Sequence, residues 1–336
     1  MQKPVFHFDP NLEHQCEAVA AVSDLFDGLV SERPDFSFDD AIIPNLPKGE
    51  PLDTSILLSN LRAVQRRARQ REPGFPLSAE LELDSGLPLE IPGLDNESTL
   101  SSPSFTVEME TGTGKTYVYF RTMYELYRRC GFTKFVVVVP SVAIFEGVVK
   151  THAQTLSHFA SLYGNERPPL VQYDGARVSE LRSFASSFRP IILVTTLAAF
   201  NKASNVIYKP SDRLPGELLP IEYLSRTRPI LILDEPQNYG SEKAKASLRR
   251  LDPLFSLRYS ATHKENPNPV YRLSPFEAFR RDLVKKVVVS GFSLEGEARK
   301  NALRLLKVDR ARQSALLLAT KEKDGALAPG EVTLKQ

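Results

Sequence analysis

Thr111-Gly112-Thr113-Gly114-Lys115-Thr116 stands between an apolar run, Phe105 to Glu110, and a stretch from Thr116 to Arg129 with helical spacing. A glycine-rich turn that closes a strand and opens a helix is the setting of a phosphate-binding loop. Its glycines let backbone N–H groups turn inward around phosphate oxygens, and the helix amino terminus adds a favourable field for anions. Thr111, Gly112, Thr113 and Gly114 then form the cradle, Lys115 reaches the β- and γ-phosphates, and the Thr116 hydroxyl ligates Mg²⁺. The expected ligands are ATP and Mg²⁺. One position departs from GxxxxGK[ST]: Met109 stands where the first glycine belongs. The bland alternative is a glycine turn with an incidental lysine, and the strand–loop–helix setting argues against it.

Outward from this loop, short apolar runs alternate with longer amphipathic stretches. Strands are expected at Phe105–Glu110, Phe135–Val139, Leu170–Tyr173, Ile191–Val194, Ile230–Leu233 and Leu257–Ser260, and helices at Thr116–Arg129 and Phe145–Leu162. Several strands are nearly continuous Val, Ile and Leu, as strands buried on both faces are. The alternation predicts an α/β fold, a mostly parallel sheet with helices on both faces. Ile230-Leu231-Ile232-Leu233-Asp234-Glu235 then brings two carboxylates to the carboxyl end of a buried strand, where open α/β sheets bind ligands. There Asp234 would hold Mg²⁺ and Glu235 would orient and deprotonate an attacking water. A strand-end turn is the bland reading of the pair, and the upstream loop weighs against it.

Residues 12–29 carry helical spacing. From Ser31 to Pro103 prolines are frequent and the text turns acidic, which marks an insertion before the loop; one helix, Thr54 to Arg71, interrupts it and ends in a basic run read as a solvated helix end. Glu295 to Ala319 looks helical in parts, Lys321 to Pro329 reads as polar turn, and Glu331 to Gln336 like the start of a strand that is cut short. The expected domains are 1–30, 31–103, 104–292 and an incomplete extension, 293–336.

Net charge is +2, but residues 1–110 hold 8 Lys/Arg against 20 Asp/Glu, and residues 111–250 hold 19 against 11. The later part of the chain therefore offers a positive surface to a polyanion, or an ordinary solvated one. Two cysteines without close spacing suit a reducing, cytoplasmic setting. Five scattered histidines give no zinc spacing. No stretch reaches the ~20 apolar residues of a membrane span, and the first ten residues lack a signal-peptide pattern.

The loop, Asp234-Glu235-Pro236-Gln237-Asn238, Ser260-Ala261-Thr262-His263 with Tyr271-Arg272-Leu273, the string from Val139 to Val148, Phe200-Asn201-Lys202 and Leu58 to Gln65 together resemble the Res subunits of type III restriction enzymes, over most of residues 5–290. That family belongs to the superfamily 2 helicases. The resemblance implies a RecA-like P-loop NTPase domain acting as an ATP-driven motor on double-stranded DNA, beside a Mod methyltransferase subunit. It implies coupling roles for Gln237, Ser260, Thr262 and His263, adenine recognition by Gln15 with Phe6 or Phe8 stacking on the base, and DNA-backbone contacts from Ser141, Thr195 and Thr196. Phe145 departs from the pattern, since a basic residue is expected there. No lysine follows an Asp or Glu by two positions, so the family's PD-(D/E)xK nuclease motif is absent from this sequence. A second RecA-like domain with its arginine finger is also expected elsewhere, on a separate chain or in missing sequence. Two other readings remain at this stage. One is a non-catalytic nucleotide-binding remnant that docks on a partner subunit; the other is a P-loop kinase, which leaves Ser260 to His263 unexplained.

Overall fold

The computed structural model describes residues 7–29, 42–47, 50–84, 86–92, 94, 101–175, 177–214, 218–285, 301–309, 314–323 and 326–335. The chain divides into two compact units, Met1–Lys285 and Lys286–Gln336.

The first unit runs α1 (Glu13–Ser23), α2 (Thr54–Arg71), β1 (Leu83–Asp84), β2 (Ser102–Met109), α3 (Lys115–Cys130), β3 (Lys134–Val139), α4 (Val142–Leu162), β4 (Leu170–Tyr173), α5 (Glu180–Ser186), β5 (Ile191–Thr196), α6 (Pro220–Ser225), β6 (Ile230–Asp234), α7 (Glu242–Arg249), β7 (Phe255–Ser260), β8 (Pro269–Leu273) and α8 (Pro275–Arg280). The strands form one sheet in the order β1-β2-β7-β6-β3-β5-β4, with β8 also on β2. Every pairing is parallel except β1 with β2. The six strands expected from the apolar runs are all present. β8, short and containing Arg272, gives too little periodicity to be read from sequence.

The period of two along β3 divides its side chains between two cores. Phe135, Val137 and Val139 face the core built with α1, α2, α3 and α4. Val136 and Val138 face a second core that includes Leu181 and Phe184 of α5, Ile221 and Leu224 of α6, and Leu248 of α7. The sheet is thus covered on both faces, which is why its central strands tolerate no polar alternation.

The segment read as an insertion is built into this core. Asp53 caps α2 by accepting from the Ser55 and Ile56 N–H groups, and Leu57, Leu61 and Val64 are buried in the core that α1 and α3 share. At the basic end of α2, Arg66, Arg67 and Arg69 are exposed, as a solvated helix end is, although Arg69 also donates to the Phe75 carbonyl at 2.6 Å. Further up the helix Arg62 donates to the Ser78 carbonyl at 3.1 Å. Arg71 pairs with Glu17 of α1 and lies over the Tyr271 ring, 4.7 Å from its centroid.

Asn45 closes the opposite end of the sheet from the phosphate loop. Its Oδ1 accepts from the Thr133 and Lys134 N–H groups at 2.8 and 2.9 Å. Its Nδ2 donates to the Lys134 and Arg228 carbonyls at 2.9 and 3.1 Å. One buried amide therefore serves four backbone groups at the start of β3 and just ahead of β6.

The second unit differs from the expectation. Asn301–Asp309, Ser314–Lys323 and Ala326–Lys335 are strands β9, β10 and β11 of an antiparallel meander, where the sequence suggests partial helix from Glu295 to Ala319, a polar turn from Lys321 to Pro329 and the start of a strand only from Glu331. Short Ala- and Leu-rich runs favour helix locally. Pairing over ten positions between β10 and β11 is a non-local gain that a window of sequence does not show. The unit boundary falls after Lys285, ahead of the expected 292/293, and residues 286–300 lie outside the described residues. Among the described residues no helix is long and apolar enough to cross a membrane.

Asn45→Ala is expected to lower stability by about 2–4 kcal/mol, since buried backbone groups lose their partners. Urea unfolding of the two proteins measures it; a loss within error would mean that water replaces the amide.

Candidate active site

The phosphate loop, the acidic pair and Ser260 to His263 lie at or just beyond the carboxyl ends of parallel strands, while Gln15 comes from α1. β2 leads into the phosphate loop, β6 ends at Asp234 and β7 at Ser260; in register, Glu108 pairs with Ser260 and Asp234 with Tyr259. Because β7 runs between β2 and β6, Ser260 falls between the loop and the acidic pair.

The loop is held from several sides. Gly112 and Gly114 have φ of 83° and 96°, the left-handed region that side chains disfavour. A Cβ on Gly114 would also collide with the Gln15 amide. Glu110 Oε1 accepts from the Thr111 N–H at 2.8 Å, and the Glu110 carbonyl accepts from the Thr113 N–H at 3.3 Å and its hydroxyl at 2.7 Å. The Thr113 carbonyl accepts from Gln15 Nε2 at 3.1 Å and is 3.0 Å from His14 Nε2.

Lys115 forms an ion pair with Glu235 Oε1. The other carboxylate oxygen, Oε2, accepts from Gln237 Nε2 at 2.7 Å and from the Ser260 hydroxyl at 2.6 Å. Ser260 Oγ also accepts from the Thr262 N–H at 3.2 Å. Glu235 itself has φ 53°, a strained value for a residue with a side chain. Its N–H donates to the Tyr259 carbonyl at 2.9 Å, so backbone and side chain together fix it. Burial pushes the Glu235 carboxyl up, but the hydrogen bonds from Lys115, Ser260 and Gln237 outweigh it and hold the group below its ordinary range.

Asp234 is only 6% exposed. Burial pushes its carboxyl up to about 6; the Lys115 ammonium opposes this shift and the Glu235 charge adds to it. His263 donates from Nε2 to the Val107 carbonyl at 3.2 Å, across β2, while its Nδ1 is buried without a partner. Burial pushes this imidazole down to about 4, so it stays neutral near pH 7.

Thr116, in the first turn of α3, and Asp234, at the end of β6, are the oxygen donors predicted for Mg²⁺. Among the described residues no cluster of three or more His, Cys, Asp or Glu is assembled for a metal. A hydroxyl and a carboxylate fit an ion that keeps waters and arrives on phosphate rather than in a protein cage.

The residues expected from sequence to meet a DNA backbone divide. Ser141 is exposed as the N-cap of α4, with its oxygen 3.4 Å from the Ile144 N–H, and Thr196 is half-buried. Thr195 is a correction: it is 1% exposed and its hydroxyl contacts the Thr196 carbonyl, so it does not reach a bound backbone. Phe145 packs partly against the core, which accounts for its place where a basic residue was expected. Phe8 stacks on Tyr117 with ring centroids 6.0 Å apart, while Phe6 lies outside the described residues.

Residues 79–265, more than half of the chain, match the family model of the type III restriction enzyme res subunit. The chain belongs to this family. It is 27% identical over 303 residues to the EcoPI Res subunit of Escherichia phage P1, covering 84% of this chain and 29% of that protein. It is 30% identical over 260 residues to the StyLTI Res subunit of Salmonella typhimurium strain LT2, covering 67% and 26%. The chain thus spans less than a third of the length of these relatives. The solved Hef helicase domain of Pyrococcus furiosus aligns with it at 16% identity and a TM-score of 0.35, over 56% of this chain and 38% of that one.

In this Res-family chain sequence reasoning missed three residues of the site. His14 was hidden beside Gln15, although two adjacent polar residues at a helix start that both turn inward would be a signal. Tyr239 donates toward the Val138 and Asp234 carbonyls at 3.0 and 3.1 Å, tying the acidic turn to β3. Glu110 caps the loop, and only the fold shows it.

Because the folded Asp234 carboxyl titrates near pH 6 and the unfolded one near about 4, its buried charge costs stability fully above pH 6. The cost disappears as pH falls below about 4. Ligand-free Asp234→Asn is therefore expected to be more stable at pH 8 by about 1–3 kcal/mol, a gain that closes by pH 4. Thermal unfolding across pH checks it; a gain independent of pH would mean that the carboxyl is not shifted.

Proposed function

We propose that residues 104–285, with the Gln15 region and the segment 31–103 around them, form the ATP-binding and ATP-hydrolysing motor module of a restriction system, acting on double-stranded DNA beside a Mod methyltransferase. The observation that carries this reading is the ion pair from Lys115 to Glu235, whose second oxygen is held by Gln237 and Ser260. It joins the phosphate loop, the acidic strand end and the end of β7 in one hydrogen-bonded group. A glycine turn with an incidental lysine has no reason to do so.

Bound Mg²⁺ would neutralise developing phosphate charge, held on the protein side by Thr116 and Asp234. The loop's N–H groups and Lys115 bind and orient the phosphates. When Lys115 turns to phosphate oxygens, Glu235 loses its cation and becomes a stronger base, still aimed by Ser260 and Gln237. A water placed beside it gives up its proton to that carboxylate. Gln15 reads the base, and Ser141 and Thr196 contact the DNA backbone. Gln237, Ser260, Thr262 and His263 transmit the change at Glu235 toward a second RecA-like domain, from further sequence or a separate chain, which supplies the arginine finger.

The test is phosphate release from ATP by this chain, with and without duplex DNA, beside ATP binding. Lys115→Ala is expected to abolish ATP binding. Hydrolysis by the isolated chain is expected to fall short of a complete motor by about 10³–10⁵, for want of the finger. DNA-stimulated turnover that Lys115→Ala removes would show a self-sufficient ATPase. ATP binding that survives Lys115→Ala would sink the assignment of the loop.

A further inference from the structure

His14 is 4% exposed, in the first turn of α1, and its ring points at the phosphate loop. A carbonyl oxygen only accepts, so His14 carries a proton on Nε2 and donates it to Thr113 O. Gln15 donates to the same oxygen. The two bonds use both lone pairs of one carbonyl.

The consequence lies one bond further on. The peptide from Thr113 to Gly114 is planar and trans, so its C=O and N–H point in opposite directions. Drawing Thr113 O toward α1 therefore aims the Gly114 N–H away from α1. The residue that carries this carbonyl is fixed on its other side, where the Thr113 N–H of the preceding peptide and the Thr113 hydroxyl both donate to the Glu110 carbonyl. Gly114, at φ 96°, otherwise has the freedom to rotate that donor out of place.

We propose that His14 is a positioning residue of the phosphate loop, which with Gln15 fixes the Thr113–Gly114 peptide so that its N–H serves a triphosphate or pyrophosphate. The pairing also explains how Gln15 can turn to a base. Thr113 is 4% exposed, and its carbonyl would lose its partner if Gln15 alone held it. His14 keeps that oxygen satisfied while the glutamine moves. The helix that carries both residues is itself tied down: Glu17 pairs with Arg71 of α2 at 2.6 Å and lies 3.6 Å from Arg281.

This rests on the loop being a nucleotide site, and the experiment separates the two. Binding of ATP, GTP and inorganic pyrophosphate, each with Mg²⁺, is measured calorimetrically on the 336-residue chain, with unfolding temperature recorded in parallel. His14→Ala is expected to weaken all three by about tenfold, because the loss falls on the phosphate donors. His14→Gln, whose amide nitrogen reaches the place of Nε2, is expected to restore them. Gln15→Ala is expected instead to erase the preference of ATP over GTP and to weaken pyrophosphate less than His14→Ala does, because the bond from His14 to Thr113 O remains. Unchanged binding in His14→Ala overturns the proposal. So does a loss that His14→Gln fails to rescue while its unfolding temperature is normal. A wild-type chain that binds none of the three ligands overturns the nucleotide site itself.

Discussion

Lys115 and Glu235 lie 120 residues apart and still meet in an ion pair, because β2, β7 and β6 run parallel and side by side. Parallel pairing sends every carboxyl end to one edge of the sheet. The connections that leave that edge therefore converge, and the helices that return the chain cover both faces. Lys115 starts α3, Glu235 follows β6, and Ser260 ends the strand between them. Without the in-register stacking of Asp234 on Tyr259 and of Glu108 on Ser260 the ion pair would have no geometry.

The edge brings several costly groups together. Asp234 is a buried carboxylate, Glu235 sits at positive φ, and His263 leaves a buried ring nitrogen without a partner. Each of these costs stability. They are offset by two well-packed cores, in which the central strands are almost wholly buried. Positive φ also occurs elsewhere, at Arg228, Asp252 and Asn268 among others, but at this edge strain and desolvation fall together on neighbouring ionisable groups, as is expected of a working site.

The segment ahead of the loop shows how composition can mislead. Its prolines and acids read as an addition to the domain. Yet Leu57 and Leu61 are buried in the main core, Asn45 seals the sheet's far end, and Arg62, Arg69 and Arg71 are committed to contacts within the domain. A residue such as Asn45, whose backbone partners lie 88 to 183 residues away, carries no local signature. The same holds for Thr195, a plausible phosphate donor by sequence that is buried because β5 is covered on both faces.

What the sequence determined by itself was whatever depends on near neighbours along the chain. The glycine turn between strand and helix, the Val- and Ile-rich strands, and the carboxylates that close an apolar run all follow from spacing and backbone preference. They were enough for the α/β class, the phosphate loop and the roles expected of Lys115, Thr116, Asp234 and Glu235. Only the tertiary structure decided the strand order that puts Ser260 between the loop and the acidic pair, the approach of His14 and Gln15 to Thr113, and the strands of the second unit. Each of these turns on a pairing between distant segments, whose free energy is set by packing and register and has no trace in any single stretch of sequence.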